Sequence, residues 1–258
     1  MPDEIGKLEM LKILDCKQNE LKELPISIGN CKKMENLSLR KNHIVNLPEE
    51  IEDLEKLTLL DLSYNQFKEF PAAIGRCLQL IVLDLSDNVL EKLDAKIGEL
   101  EKLACLNLSY NRFDQFPIET TKLKKLNFLD LSRNHLKTLP AEIENFKELK
   151  GLNLSQNQLE TLPDEIGKLQ TLDRLDLVNN KLKNLPTSLR NLSKISTLDL
   201  RNNEFNDLLH KTINWSLNLN IKLLWFWFIR YEILYSGIEE ETLGKKELEE
   251  LFTYRIRF

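Results

Sequence analysis

The sequence predicts an α/β solenoid, a single array of repeats in which each unit is a short parallel strand, a turn and a short helical segment. Three observations carry this. One asparagine recurs with a strict 23-residue period, at Asn19, Asn42, Asn65, Asn88, Asn111, Asn134, Asn157, Asn180 and Asn203. Each closes the same apolar phrase, L-x-x-L-x-L-x-x-N, as in Leu103-Ala-Cys-Leu-Asn-Leu-Ser-Tyr-Asn111, with Cys16, Met34 and Ile195 standing for leucine in the first, second and ninth copies. A proline usually stands six positions after the asparagine, at Pro25, Pro48, Pro71, Pro117, Pro140, Pro163 and Pro186.

The elements follow in order within one repeat. Counted from the asparagine, apolar residues fall at −8, −5, −3, +2, +5, +9 and +12, which in the third repeat are Leu57, Leu60, Leu62, Phe67, Phe70, Ile74 and Cys77. Alternation around −5 and −3 marks a short half-buried strand. The proline cannot donate to a sheet ladder, so it turns the chain away from the strand. In the segment after it, as in Pro48-Glu-Glu-Ile-Glu-Asp-Leu54, Ile and Leu stand three apart behind acidic residues. That suits a short helix or 3₁₀ turn on the far side of the solenoid. The asparagine stands where the chain bends inward and backbone groups lose their ladder partners; an amide there can both donate and accept. The nine asparagines are therefore read as a structural ladder. Two departures, Asp94 for proline and Thr120 for the +9 isoleucine, predict a local change in the convex side near the middle. After Asn203 the chain runs into Leu208-Leu209 with no proline, which ends the array.

These residues resemble the leucine-rich repeat family, in its 23-residue form with L-P-x-x-I in the variable half. That form is similar to Ras-group proteins and to many bacterial repeat proteins. The resemblance covers about residues 1–208 and implies a horseshoe with a parallel β-sheet on the concave face, short helices or 3₁₀ turns on the convex face, and protein binding as the usual role. It differs from the bacterial ubiquitin-ligase effectors, whose repeats are about 20 residues long, and no ligase domain is expected in residues 209–258.

Residues 209–258 break the period and read as a C-terminal capping segment. Leu217, Leu219, Ile221 and Leu223 alternate with polar residues as a last strand. The uncharged run Leu223 to Ile229 is far short of the roughly 20 residues a membrane span needs. All three tryptophans, Trp215, Trp225 and Trp227, lie in this region. Leu243, Leu248, Leu251 and Phe252 mark an amphipathic helix.

The net charge is −5 over 258 residues, with 42% apolar content. Mild acidity argues against nucleic acid or an anionic membrane as partner. Of the four cysteines, Cys31 and Cys77 share a column two repeats apart, about 10 Å at strand spacing and beyond disulfide reach. All four are expected to be reduced. No signal peptide is read at the start, so at face value the chain is cytoplasmic. Met1 to Leu8 repeats the phrase of Leu162 to Leu169, however, so the chain starts mid-repeat and an upstream continuation is expected.

Residues between the leucine columns should face solvent on the sheet. At −6, Leu59, Val82, Cys105 and Phe128 are four consecutive outward apolar residues, with Gly151 ending the stripe. At −4 runs an acidic column including Asp61, Asp84 and Asp130, interrupted by Asn107 and Asn153. At −1, Tyr64 and Tyr110 flank the stripe. Contiguous exposed apolar residues with aromatics mark interfaces, so these nine residues form the candidate partner-binding face; the alternative is that exposed strand positions tolerate β-formers. The aspartates have a structural alternative too, bonding neighbouring hydroxyls. No Ser-His-Asp set, phosphate-binding glycine loop or metal cluster appears, and His43, His135 and His210 stand too far apart to act together. The expected function is a non-catalytic protein-binding scaffold with no cofactor; the runner-up is a self-associating module using the N-terminal edge or the Trp-rich segment.

Overall fold

The computed structural model describes residues 1–205, and the expectations for the C-terminal segment lie outside them. Within this span, nine strands of three residues form one parallel sheet in sequential order: β1 (Ile13–Asp15), β2 (Asn36–Ser38), β3 (Leu59–Asp61), β4 (Val82–Asp84), β5 (Cys105–Asn107), β6 (Phe128–Asp130), β7 (Gly151–Asn153), β8 (Arg174–Asp176) and β9 (Thr197–Asp199). The register does not slip. Every column pairs with itself, as in Leu59↔Val82, Val82↔Cys105 and Cys105↔Phe128. A one-residue slip would turn each inward leucine outward, so the strict repeat spacing fixes the register.

A 3₁₀ helix of five residues precedes each of the nine strands, from Asp3–Lys7 before β1 to Thr187–Asn191 before β9. Their bonds run from residue i+3 back to i, as in Ile28 N–H to Pro25 O at 3.0 Å and Cys31 N–H to Ile28 O at 3.0 Å. All eight prolines of the chain stand immediately before one of them. Proline's fixed φ suits a helix entry, where its missing N–H costs nothing. Gly29 and Gly167 show how tightly these helices stack: a Cβ would come within 2.8 Å of Glu50 O and 2.2 Å of Ser188 O.

The two departures change the convex side less than expected. Asp94 replaces proline as the cap: its Oδ1 accepts from Lys96 N–H at 2.8 Å, and the 3₁₀ helix Ala95–Glu99 forms as in the other repeats. A short acceptor side chain at the entry satisfies one of the free N–H groups there. Thr120 is buried, and its hydroxyl donates to Pro117 O at 2.8 Å, so the polar group sits in the core satisfied. The flanking torsions differ modestly, with ψ of 86° at Pro117 and 92° at Leu123, and comparable departures occur at Pro71 and Phe146 in repeats with the usual isoleucine.

The core is a set of columns. Leu57, Leu60, Leu62, Phe67, Phe70, Ile74 and Cys77 are all buried, and the equivalent residues repeat this through the array. Each contributes about 1.5–3 kcal/mol of burial. The first repeat packs against one neighbour only, so Leu11, Leu14, Cys16 and Leu21 are half-buried. All four cysteines are free thiols. Cys77 is enclosed, its Sγ donating to Ile51 O at 3.3 Å, and burial pushes its thiol up to about 12.

Candidate protein-binding face

The −6 column is the middle of the sheet's outer face. Leu59, Val82 and Cys105 are half-buried, and Phe128 is 41% exposed. Straight register places the four side by side across β3 to β6, with Ile81, 43% exposed, beside Val82 in the chain. Gly151 ends the stripe for a steric reason the sequence does not display. The Phe128 ring leans over it, and a Cβ on Gly151 would lie 2.6 Å from Phe128 Cδ2. Gly151 is buried beneath that ring.

The −4 column is bound into the scaffold. Wherever this position is Asp or Asn, the side chain accepts from the N–H two residues on: Ser63 to Asp61 at 3.0 Å, Ser86 to Asp84 at 2.9 Å and Ser132 to Asp130 at 2.8 Å. This Asx turn closes the strand and starts the bend. The second carboxylate oxygens are also engaged across the sheet, Asp84 by Asn107 Nδ2 at 3.2 Å and Asp130 by Asn153 Nδ2 at 2.9 Å. The Ser38 hydroxyl lies 3.4 Å from Asp61 Oδ2. The two interrupting asparagines thus donate to the aspartate of the preceding strand.

The −1 column carries a feature absent from the sequence reading. All nine of its members, from Gln18 to Asn202, have φ between 52° and 58°. Left-handed backbone is uncommon outside glycine, yet here it is occupied by Gln, Lys, Tyr, Asp, Arg and Asn. It turns the chain so that the following Asn side chain points inward. Asn65 is typical: Nδ2 donates to Leu62 O and Leu39 O, both at 3.0 Å, and Oδ1 accepts from Ile44 N–H at 3.0 Å. Each amide therefore ties its own turn to the preceding repeat. Asn19 is the end of this ladder, exposed and bonded within its own repeat.

Tyr64 and Tyr110, 41% and 40% exposed, stand on this column two repeats apart. Arg40 lies over the Tyr64 ring at 4.6 Å and Arg133 over the Tyr110 ring at 4.2 Å, while Lys41 sits at 5.5 Å from Tyr64. Between the tyrosines the fourth repeat presents two short side chains, Asp87 and Val89. The result is an open depression of about 570 Å³, bordered on its later side by Arg112, Arg133 and His135. Burial pushes the Asp87 carboxyl above its ordinary range, against a hydrogen bond from the Tyr64 hydroxyl and the pull of Arg40 and Arg133. No member of the −6 column lines this depression. Tyr64 and Tyr110 line this depression at the bend, and the apolar stripe they were expected to flank runs along the strand centres. Arg40 and His135 were legible only as members of columns at −2 and +1; their reach over neighbouring repeats was not.

Among the described residues no group of three or more His, Cys, Asp or Glu is placed to hold a metal ion, and no helix is long and apolar enough to cross a membrane. His43 bonds Gln66 across the stack at 3.2 Å.

A family model for the leucine-rich repeat region matches residues 79–219, more than half of the 258, and a second leucine-rich repeat model matches residues 56–77. No match was found among curated proteins. Among solved structures, a leucine-rich repeat protein of Leptospira interrogans is 37% identical with a TM-score of 0.80, over 83% of this chain and 55% of that one. The internalin InlF of Listeria monocytogenes has a TM-score of 0.69 over 80% of this chain and 58% of its own, and at 22% identity the likeness is of fold alone. The plant peptide hormone receptor RGFR1, solved in complex with RGF2, is 27% identical with a TM-score of 0.56, over 80% of this chain and 42% of that one. The chain thus spans little more than half the length of the first two. Folds built on this unit are generally protein-interaction scaffolds and typically non-catalytic. The unbroken register of stacked strand, bend and 3₁₀ turn, matched by a family model over most of the array, makes this chain a member of the leucine-rich repeat family.

Proposed function

We propose that the chain is a non-catalytic scaffold that binds a protein partner on the outer face of its sheet. The contact is centred on Leu59, Val82, Cys105 and Phe128, with Tyr64 and Tyr110 on the bend side. Asp61, Asp84 and Asp130 form the polar strip between, with lone pairs left for a partner's donors. The observation that carries this is the apolar stripe itself: four residues adjacent through straight register, on the sheet side facing solvent, ending in a 41% exposed phenylalanine. Adjacent outward apolar groups gain by being covered, and aromatic residues supply a large share of interface energy. Scattered tolerance of β-formers does not account for their contiguity, because Ile13, the other large apolar residue of this column, stands two repeats away from them.

The test is capture of partners from a lysate on immobilised protein, comparing wild type with Val82→Asp plus Phe128→Asp. Circular dichroism checks that both fold. Loss of anchors of this kind costs about 2 kcal/mol or more, a drop of roughly thirtyfold or greater, so specific partners should disappear. Ile26→Asp plus Ile118→Asp alters exposed residues of the 3₁₀ side and should leave capture intact. Partners that survive the first variant and vanish with the second overturn the sheet-face reading.

A further inference from the structure

We infer that the depression at the bend takes one side-chain carboxylate of the partner, an aspartate or a glutamate, paired with the guanidinium groups of Arg112 and Arg133. This rests on the reading of the sheet face as a partner-binding surface and adds the chemistry of one contact.

The depression exists because of side-chain length. Along the −1 column stand Lys41, Tyr64, Asp87, Tyr110 and Arg133, and along the +1 column Gln66, Val89, Arg112 and His135. The fourth repeat is short in both rows, and Asp87 and Val89 line the depression there. The next two repeats supply its basic groups, Arg112 from the fifth and Arg133 and His135 from the sixth. Neighbouring repeats stand about 4.8 Å apart at strand spacing, so two long arginine side chains from adjacent repeats can converge on one carboxylate.

Charge decides the occupant. Of the charged side chains lining the depression, Arg112 and Arg133 are positive and Asp87 is negative, which leaves one positive charge over with His135 neutral. Neither arginine forms a salt bridge with any described residue. Arg133 lies over the Tyr110 ring at 4.2 Å, a contact that steadies its guanidinium without neutralising it. Asp87 accepts a hydrogen bond from the Tyr64 hydroxyl. Asn111 also lines the depression, but its amide is committed to the ladder, donating to Leu85 O at 2.9 Å and Leu108 O at 3.1 Å. The donors left for an incoming group are therefore the arginines, and a guanidinium can present two parallel, charge-assisted N–H groups to a carboxylate. Asp87 limits the charge of the occupant: a phosphate group, at about −1.5 to −2, exceeds the single positive charge left over. The place along the face favours a side chain. The depression is lined from the third to the sixth repeat, and the stripe of Leu59, Val82, Cys105 and Phe128 crosses the same four. A group in the depression thus comes off the flank of a segment covering the stripe. An acid set over the strand centres would meet Asp61, Asp84 and Asp130 instead, and like charges repel there.

The test is an NMR titration of the whole chain, at constant ionic strength, with N-acetyl-glutamate methylamide, N-acetyl-glutamine methylamide and inorganic phosphate. The Nε–H signals of Arg112 and Arg133 are assigned through Arg112→Gln and Arg133→Gln. The array already carries glutamine in both columns, at Gln18 and Gln156 in one and at Gln66 and Gln158 in the other, so the variants should fold. The glutamate probe should shift both signals saturably, and the double variant, read at the His135 ring, should bind it about tenfold more weakly. Four outcomes overturn the inference: no saturable shift, an equal response to the glutamine probe, unchanged affinity in the double variant, or phosphate saturating at a lower concentration than glutamate. No residue of the −6 column lines the depression, so a failed titration leaves the capture test of the stripe standing and the two failures are separable.

Discussion

Asn111 ties two adjacent repeats together through one amide. Its Nδ2 donates to Leu108 O at 3.1 Å in its own strand end and to Leu85 O at 2.9 Å in the repeat before, while Oδ1 accepts from Leu90 N–H at 2.9 Å. Leu108 O in turn accepts from Asn134, one repeat further on, at 3.0 Å. The ladder is thus a zigzag through backbone carbonyls and does not run from amide to amide. The carbonyls are shared by two asparagines, but Leu90 N–H is bonded by Asn111 alone among the described residues. Removing the amide strands that buried donor at a cost of about 1–3 kcal/mol. Asn111→Ala should therefore lower stability by that amount in urea unfolding. Asn111→Asp should be worse, since it trades the donor for a charge among carbonyl oxygens. Asn19→Ala is the control, because its exposed amide bonds only Cys16 O and Lys17 O. Equal losses at both sites would contradict the ladder account.

The strands show how charge is managed along the −4 column. Register places Asp176 of β8 directly between Asn153 and Asp199. Burial, and then the neighbouring Asp199 and Asp130 charges, hold the Asp176 carboxyl above its ordinary value of 3.8, although Val178 N–H donates to it at 3.0 Å. Asp199 escapes the same fate: burial alone would raise it, but Arg201 grips both its oxygens and brings it below its usual range. A carboxyl that titrates higher folded than unfolded penalises the fold when ionised; the penalty is full at neutral pH and gone below 3.8. Asn107 and Asn153 show that an amide keeps the turn, accepting from Ser109 and Ser155 N–H at 3.1 and 3.0 Å. Asp176→Asn should then stabilise the fold by about 0.2–1 kcal/mol at pH 7, the scale of a like-charged cross-strand pair. Urea midpoints at pH 7 and pH 3 check it: a gain of the same size at both would remove the electrostatic cause. The sequence made these strands legible because each column holds one kind of residue at one spacing. It hid the left-handed −1 backbone because Gln18, Lys41 and Tyr64 are not residues that announce such a conformation. It hid the Tyr64–Tyr110 depression and the ring over Gly151 because both arise from side-chain lengths in adjacent repeats, a relation that column-by-column reading does not compare.

Across the described array, each repeat touches its neighbours in the stack, and β1 to β9 pair strictly in sequence. Stability in such a fold is approximately a sum of repeat and neighbour-interface contributions. The molecule should therefore tolerate loss of a whole unit and not of a fraction of one. Excising residues 89–111 removes one full period and joins Asn88 to Arg112, so every later residue keeps its column and Val82 comes to pair with Phe128. The surface exposed on unfolding should shrink by about one part in nine, and the urea slope with it. Excising residues 89–110 stops one position short. It leaves Asn111 directly after Asn88 and shifts the junction repeat out of phase, turning leucines outward and stranding the inward amide. The first variant should give a cooperative transition and a circular dichroism spectrum like wild type; the second should unfold at markedly lower urea. Equal tolerance of both would mean that the columns are not in strict register, and the stripe of Leu59, Val82, Cys105 and Phe128 would lose its basis along with them.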